Sequence, residues 1–348
     1  VQDGGIEIRE QVALAPFTTF GIGGPARWFA VATSEPEVEA AVLWAQQKGV
    51  PLFVLGGGSN LLVKDAGFAG LVLRVEVCGI NNCADGVYDV GAGESWDTLV
   101  DSTVHARMAG MECLAGIPGN VGGTPVQNVG AYGQEVSETI ESVRCFDRHT
   151  LAWIDLSKAD CRFRYRESLF NTDELGRYIV TRVRFRLRPE GAPQLHYADL
   201  QRRFGAPARP TLVEVAAMVR AIRREKGMLL VDGDPDCRSA GSFFKNPIVS
   251  AEIFERVASS AGLPAKDVPH WPVGDGRIKL PAAWLLERAG FVKGYGEGPA
   301  RISTRHTLAL TNRGGATCAD VEQLQDQIVA TVAERFGIVL EREPVLLG

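Results

Sequence analysis

Ile117-Pro118-Gly119-Asn120-Val121-Gly122-Gly123-Thr124-Pro125-Val126-Gln127-Asn128-Val129-Gly130-Ala131-Tyr132-Gly133 is too long for a single turn and is poor in charge. Long ordered loops in compact domains usually have a function. The glycines let the main chain approach a flat ligand closely, and Gln127 and Asn128 offer donors and acceptors to the edge of a heterocycle. The alternative is an Ω-loop packed on itself. A helix from about Ser95 to Met108 leads into the loop, with Trp96, Leu99, Val100, Val104 and Met108 at helical spacing before Gly110.

Further upstream, Ser34 and Glu37 form a capping box, Pro36 sits in the first turn, Val38, Ala41, Val42 and Ala45 share a face, and Gly49 ends the helix. A strand, Pro51 to Leu55, runs into Gly56-Gly57-Gly58-Ser59-Asn60. Consecutive glycines let backbone N–H groups converge on an anion such as a pyrophosphate; the alternative is a plain tight turn. The nicotinamide-binding fingerprint is absent, because the third glycine is missing and Leu61-Leu62-Val63 follows instead of a helix. No Gly-Lys dipeptide occurs, which removes a Walker loop.

Downstream, the pattern from Cys161 to Arg188 turns to period two. It is plainest in Thr181 to Arg188, where Val183, Phe185 and Leu187 alternate with Arg182, Arg184, Arg186 and Arg188. Proline and glycine then break the pattern, and Thr211 with Glu214 opens a helix carrying Val215, Met218, Val219 and Ile222, so a boundary is expected near residue 208. Further helices are expected at Ala251 to Gly262, Pro281 to Gly290 and Ala319 to Phe336, and an extended tail from Ile338 to Leu347.

The 348 residues suggest two or three domains at roughly 100–200 residues each. Hydrophobic residues at 45 % and charged residues at 23 % are those of a folding chain. The formal charge of −5 argues against nucleic-acid binding through overall charge. No apolar run approaches the ~20 residues that span a bilayer, and the first ten residues lack a signal-peptide layout, so a cytoplasmic protein with no membrane partner is expected. Seven cysteines without a Cys-x-x-Cys pair indicate neither a zinc site nor a disulfide framework, and no metal is expected.

Leu55 to Asn60, the loop from Ile117 to Gly133, Tyr165-Arg166-Glu167-Ser168, Ala240-Gly241-Ser242-Phe243-Phe244-Lys245-Asn246-Pro247 and Leu340-Glu341-Arg342-Glu343 occur in the order and spacing of one family. From about Leu14 to Gly348 the chain resembles the UDP-N-acetylenolpyruvoylglucosamine reductases, in the subfamily with an inserted, substrate-closing tyrosine. The resemblance implies an α+β fold of three domains. Two form a vanillyl-alcohol-oxidase-like FAD-binding unit, 1–77 with the tail 333–348 returning to it and 78–208; the third, 209–332, binds substrate. It implies noncovalent FAD, NADPH as co-substrate, reduction of an enolpyruvyl ether to the lactyl ether of UDP-N-acetylmuramate, and a monomeric or weakly associating enzyme. Gly56, Gly57, Gly58, Ser59 and Asn60 would then hold the FAD pyrophosphate. Ile117, Pro118, Gly119, Gly122, Gly123, Thr124, Val126, Asn128, Val129, Gly130 and Ala131 would line the flavin, with Val180 approaching from the basic strand.

This chemistry needs a hydride, a stabiliser for charge on the carboxylate side, and a proton. An arginine suits the second task because its planar, permanently charged fork can bind a carboxylate. The resemblance selects Arg166, although eight arginines lie between residues 162 and 188 and the ordinary reading of each is a solvated strand face. It selects Ser242 as proton donor, with Lys245 a neighbour that could stabilise its alkoxide, and Glu343 as the group that polarises or hydrogen-bonds the developing enolate. Arg342 stands where many relatives have proline, and Pro344 and Val345 also depart from the pattern, which keeps Glu341 an alternative. Tyr132, Tyr197, Lys226, Asn246 and Lys279 match substrate-binding positions.

Two rival readings have discriminating features. A flavin oxidase would carry its cofactor on a histidine or cysteine, and His105 and Cys113 lie near the loop. A nucleic-acid module would use the net +5 of residues 162–188, with Phe163, Tyr165 and Phe185 as stacking groups.

Overall fold

The computed structural model describes residues 2–3, 5–205 and 207–348, and the chain divides into two units. The first comprises Val1–Val12, Ala26–Gly58 and Phe68–Arg224; the second comprises Ala13–Pro25, Ser59–Gly67 and Glu225–Gly348.

In the first unit, the helix Glu35–Lys48 begins at the Ser34/Glu37 capping box and stops at Gly49, whose φ of 63° is a conformation glycine adopts without strain. It buries Val38, Ala41, Val42, Trp44 and Ala45. The strand Leu52–Leu55 follows and joins a four-stranded sheet in the order Arg9–Ala13, Pro25–Ala32, Phe68–Val75, Leu52–Leu55. Phe68–Val75 runs parallel to both of its neighbours there. Strands that run the same way need long crossovers, and the helix supplies the one from Pro25–Ala32 to Leu52–Leu55, which flank Phe68–Val75.

The second sheet of this unit is antiparallel, in the order Ala152–Ser157, Ile140–Asp147, Tyr178–Arg186, Val87–Gly91, Ile80–Asn82. Its middle strand is the basic one, with Val183 and Phe185 fully buried. The strand starts at Tyr178, not Cys161. Before it, Ser168 and Asn171 turn the backbone on itself, Asn171 Oδ1 accepting the Ser168 N–H and Ser168 Oγ accepting the Phe170 N–H, so local side-chain bonds replace the ladder. The helix expected to reach Met108 ends at His105, because Arg107 is left-handed (φ 58°) and Met108–Ala109 pairs with Arg188–Pro189.

The second unit pairs Leu61–Val63 in parallel with Val345–Leu347. Its helix Ala251–Ala261 is capped by Ser250, and Cys318–Phe336 by a Thr317/Asp320 capping box, each with a left-handed glycine after its end. Phe243, Phe244, Leu285, Leu286, Val321, Ile328 and Val332 form its core. Of the tail expected to be extended, Val345–Leu347 is a strand and Phe244 and Arg342 form an isolated bridge. Among the described residues no helix is long and apolar enough to cross a membrane, and no cluster of His, Cys, Asp or Glu could hold a metal.

Candidate active site

Two glycine segments meet in the first unit. A Cβ on Gly57 would lie 2.5 Å from the Gly119 Cα and 2.9 Å from the Asn120 nitrogen, so the two backbones abut as only glycine permits. A Cβ on Gly56 or Gly123 would meet nothing within 4 Å. The N–H groups of Gly57, Gly58, Gly119 and Asn120 donate to no group among the described residues. A half-open cradle of undonated amides beside open space fits the pyrophosphate of a dinucleotide such as FAD.

The long loop is ordered by its own polar groups. Val121–Gly123 forms a 3-10 turn closed by Thr124, whose N–H and hydroxyl both donate to the Val121 carbonyl. Asn128 is buried and left-handed (φ 44°); its Nδ2 donates to Glu135 Oε2 at 2.8 Å and to the Arg164 carbonyl at 3.0 Å, and its Oδ1 accepts the Ser137 N–H. That side chain is occupied in holding the loop. Val129 follows Asn128 into the core, and Val126 accepts the Ser168 hydroxyl on its carbonyl at 2.5 Å. Gly130 and Ala131 form a hairpin with Gln134–Glu135. Val180 is buried in register with Cys145 of the antiparallel sheet.

Arg166 reaches the glycine loop from a region rich in arginine. Arg162, Arg164, Arg177, Arg182, Arg184 and Arg186 pair with Asp173, Glu167, Asp147, Asp89, Asp89 and Glu141 respectively, an ordinary use of surface charge. Arg166 donates from Nη2 to the Gly130 carbonyl at 2.7 Å, with its guanidinium 5.3 Å from the Tyr165 ring centroid. A Cβ on Gly130 would sit 3.1 Å from Arg166 Nη1. Arg166 (φ 58°) and Tyr132 (φ 49°) are both left-handed, a strained state for non-glycine residues that surrounding structure must hold and that concentrates at functional sites. The Tyr132 ring meets Tyr197 edge-on at 5.3 Å.

The remaining candidates belong to the second unit. Gly241 (φ 74°) donates its N–H to Ser239 Oγ, and the next residue but one, Phe243, donates its own to the Leu308 carbonyl, which fixes Ser242 between them. Ser242 is half-buried, and its hydroxyl bonds to no described group. The tail runs alongside: the Glu343 N–H donates to the Phe243 carbonyl at 2.9 Å and the Lys245 N–H to the Glu341 carbonyl at 3.0 Å. Asn60 Nδ2 donates to the Glu343 carbonyl at 3.3 Å, while Ser59 accepts the Thr19 hydroxyl on its carbonyl. Lys245 Nζ pairs with the exposed Glu341 at 3.4 Å and so does not serve Ser242. Asn246 Oδ1 accepts the Ala282 N–H at the start of the helix Ala282–Arg288. Lys279 lies in register between Ile248 and Trp271, its ammonium 5.8 Å from the indole centroid, and Lys226 is half-buried.

Sequence reasoning missed the groups that hold the loop ends. Glu112, fully buried, accepts from the Gly110 N–H, Gln134 Nε2 and the Gln194 N–H. Arg223, 8 % exposed, donates from Nε to the Gly116 carbonyl at 2.8 Å, and its burial lowers the guanidinium pKa. One signal was present: Arg223 follows Ile222 on the stripe of Val215 and Val219, a charge where the helical pattern calls for an apolar residue. Cys113 is buried, its Sγ 3.3 Å from the Gln194 carbonyl, and desolvation pushes its thiol far up, the opposite of an attachment nucleophile.

Residues 234–347 match the family model described as UDP-N-acetylenolpyruvoylglucosamine reductase, C-terminal domain, and residues 26–150 match that described as FAD binding domain. The UDP-N-acetylenolpyruvoylglucosamine reductase of Streptomyces coelicolor is 50 % identical over 345 residues, covering 96 % of this chain and 89 % of the relative. That of Thermobifida fusca is 49 % identical over 348 residues, covering 97 % of each. The crystal structure of the Thermus caldophilus reductase superposes with a TM-score of 0.67 at 28 % identity, over 99 % of this chain and 100 % of that one. With half its residues shared along almost its entire length, this chain belongs to the UDP-N-acetylenolpyruvoylglucosamine reductase family.

Proposed function

We propose that the chain reduces UDP-N-acetylglucosamine enolpyruvate to UDP-N-acetylmuramate with NADPH as reductant and noncovalent FAD as carrier, a step of peptidoglycan precursor synthesis. The observation that carries the reading is the main-chain pairing of the Phe243–Lys245 segment with Glu341–Glu343, which fixes a partnerless serine hydroxyl beside a carboxylate-bearing segment in a chain of this family. When bound, FAD supplies hydride for the terminal carbon of the enolpyruvyl group.

The chain's own residues have the other tasks. The amides of Gly57, Gly58, Gly119 and Asn120 receive the pyrophosphate, and Ser59, Asn60 and the segment Ile117–Ala131 complete the cofactor contacts with Val180. Arg166, anchored on Gly130, binds the enolpyruvyl carboxylate and stabilises charge developing there. Ser242 gives its proton to the carbon next to that carboxylate, and Glu343 hydrogen-bonds the developing enolate, which requires its protonated form. Lys226 and Lys279 meet the diphosphate as point charges, Asn246 reads the pyrimidine edge, Tyr132 faces the substrate and Tyr197 closes over it.

The division into 1–77 with 333–348, 78–208 and 209–332 is part of the same proposal. So are a monomeric or weakly associating state and a cytoplasmic location, the latter supported by seven free thiols. An anaerobic visible spectrum tests the reading. A flavin spectrum should bleach with NADPH and return on adding the UDP-linked enolpyruvyl ether. Protein that bleaches but ignores that ether acts on another acceptor, and protein that cannot take up FAD overturns the proposal.

A further inference from the structure

Arg223 is a buried cation that the reaction, as assigned above, does not use. It sits in the helix Leu212–Glu225, and a charge so far from water must be matched by partners. Its Nε donates to the Gly116 carbonyl at 2.8 Å, and its guanidinium hydrogen-bonds the Tyr132 side chain. Gly116 and Tyr132 are the two ends of the glycine loop, sixteen residues apart in sequence.

Gly116 is gripped through its N–H as well as its carbonyl. The Gly116 N–H donates to Asp97 Oδ1 at 2.6 Å, and Asp97 accepts from Arg220 Nη2 at 2.8 Å, three residues before Arg223 on one helix. Trp96 adds a bond from Nε1 to the Leu114 carbonyl at 3.0 Å. Tyr132, at the far end, has a left-handed backbone that something must hold. An ammonium could reach one of the two acceptors, whereas the planar fork of arginine serves both.

We infer that Arg223, with Asp97 and Arg220, is a positioning residue that fixes the ends of the flavin loop and the phenol of Tyr132 without itself touching substrate. The inference rests on the flavin and substrate roles proposed for this loop. Losing a charge-assisted hydrogen bond of this kind corresponds to a change of about tenfold or more in affinity.

The test uses Arg223→Lys, Tyr132→Phe and the double variant. Three readouts apply: the FAD dissociation constant from fluorescence titration of apoprotein, the visible circular dichroism of bound FAD, and KM and kcat for the enolpyruvyl nucleotide. Arg223→Lys should weaken FAD about tenfold and change the dichroism, and Tyr132→Phe should raise KM more than it lowers kcat. The double variant should be no worse in KM than the worse single one, because both remove the same bond. Multiplying KM effects, or a Tyr132→Phe enzyme with wild-type KM and dichroism, would overturn the inference. If Arg223→Lys does not fold, the nearly isosteric Tyr132→Phe and Arg220→Lys read the same latch. A wild-type protein that binds FAD but leaves the nucleotide unreduced would sink the functional proposal, while FAD affinity and dichroism would still decide the role of Arg223.

Discussion

Gly57→Ala is the sharpest perturbation of the cofactor cradle. The added Cβ would stand 2.5 Å from Gly119 Cα, 2.9 Å from Asn120 N and 2.9 Å from Gly119 C, all main-chain atoms with no flexible end to swing away. Ordinary contact begins near 3.4 Å, so the segments must part by about 1 Å, an overpacking that typically costs about 1–3 kcal/mol. Apoprotein should melt about 2–12 °C lower, at about 2–4 °C per kcal/mol for a unit of this size. The displaced amides should also weaken FAD binding by about 5- to 150-fold at 1.4 kcal/mol per decade. Gly56→Ala is the control, since its Cβ would meet nothing within 4 Å. It should leave the apoprotein melting temperature within about 1–2 °C, as changes free of steric conflict stay within about 0.5 kcal/mol. Both are measured by thermal melting of apoprotein and fluorescence titration with FAD. If Gly57→Ala keeps both wild-type values, the two segments do not abut. Equal destabilisation by the two substitutions would show that the steric argument does not distinguish them.

Ser242→Ala should spare bleaching by NADPH and slow the return of colour on adding the nucleotide by about 10²–10⁴-fold, the usual weight of a positioned proton donor; anaerobic stopped-flow absorbance separates the two phases, and equal loss in both would make Ser242 structural. Asp147 is held well below the usual carboxylate range by the Arg177 guanidinium, with the His149 and Thr150 N–H groups assisting against the cost of burial. Its folded pKa is depressed, so its stabilisation is present above about pH 4 and fades as pH falls through the folded pKa. Asp147→Asn should therefore lower the melting temperature most near pH 7 and progressively less under strong acid; an offset independent of pH would contradict the pairing. Cys78 and Cys83 are exposed and the other five thiols buried, with burial pushing Cys161 and Cys318 up to about 12. A thiol reagent should count two cysteines in the native protein and seven after denaturation, and a faster third would place another thiol at the surface.

Local structure was readable wherever one short stretch carried its own signal. The Ser34/Glu37 box and Gly49 bounded the first helix, and Thr317 with Asp320 begins the last one as the apolar spacing required. Alternation marks the basic strand, but the period-two pattern extends upstream of its real start at Tyr178, because Ser168 and Asn171 bond their own neighbourhood. The helix end at His105 carries no glycine or proline to mark it; a left-handed Arg107 ends it, and a neighbouring strand takes Met108.

By itself the sequence determined the capped helices, the alternating strand, the two glycine segments and the ordered set of motifs from which the family was recognised, because propensity, periodicity and backbone freedom act over a few residues. Tertiary structure alone decided that Arg166, one of eight arginines in its region, reaches the Gly130 carbonyl. It likewise decided that Lys245 pairs with Glu341, that Asn60 holds the backbone of Glu343 across 283 residues, and that a buried Arg223 ties Gly116 to Tyr132. Those partners are remote in the chain. Sheet order and helix packing bring them together, and nothing in the local pattern of either partner specifies the other.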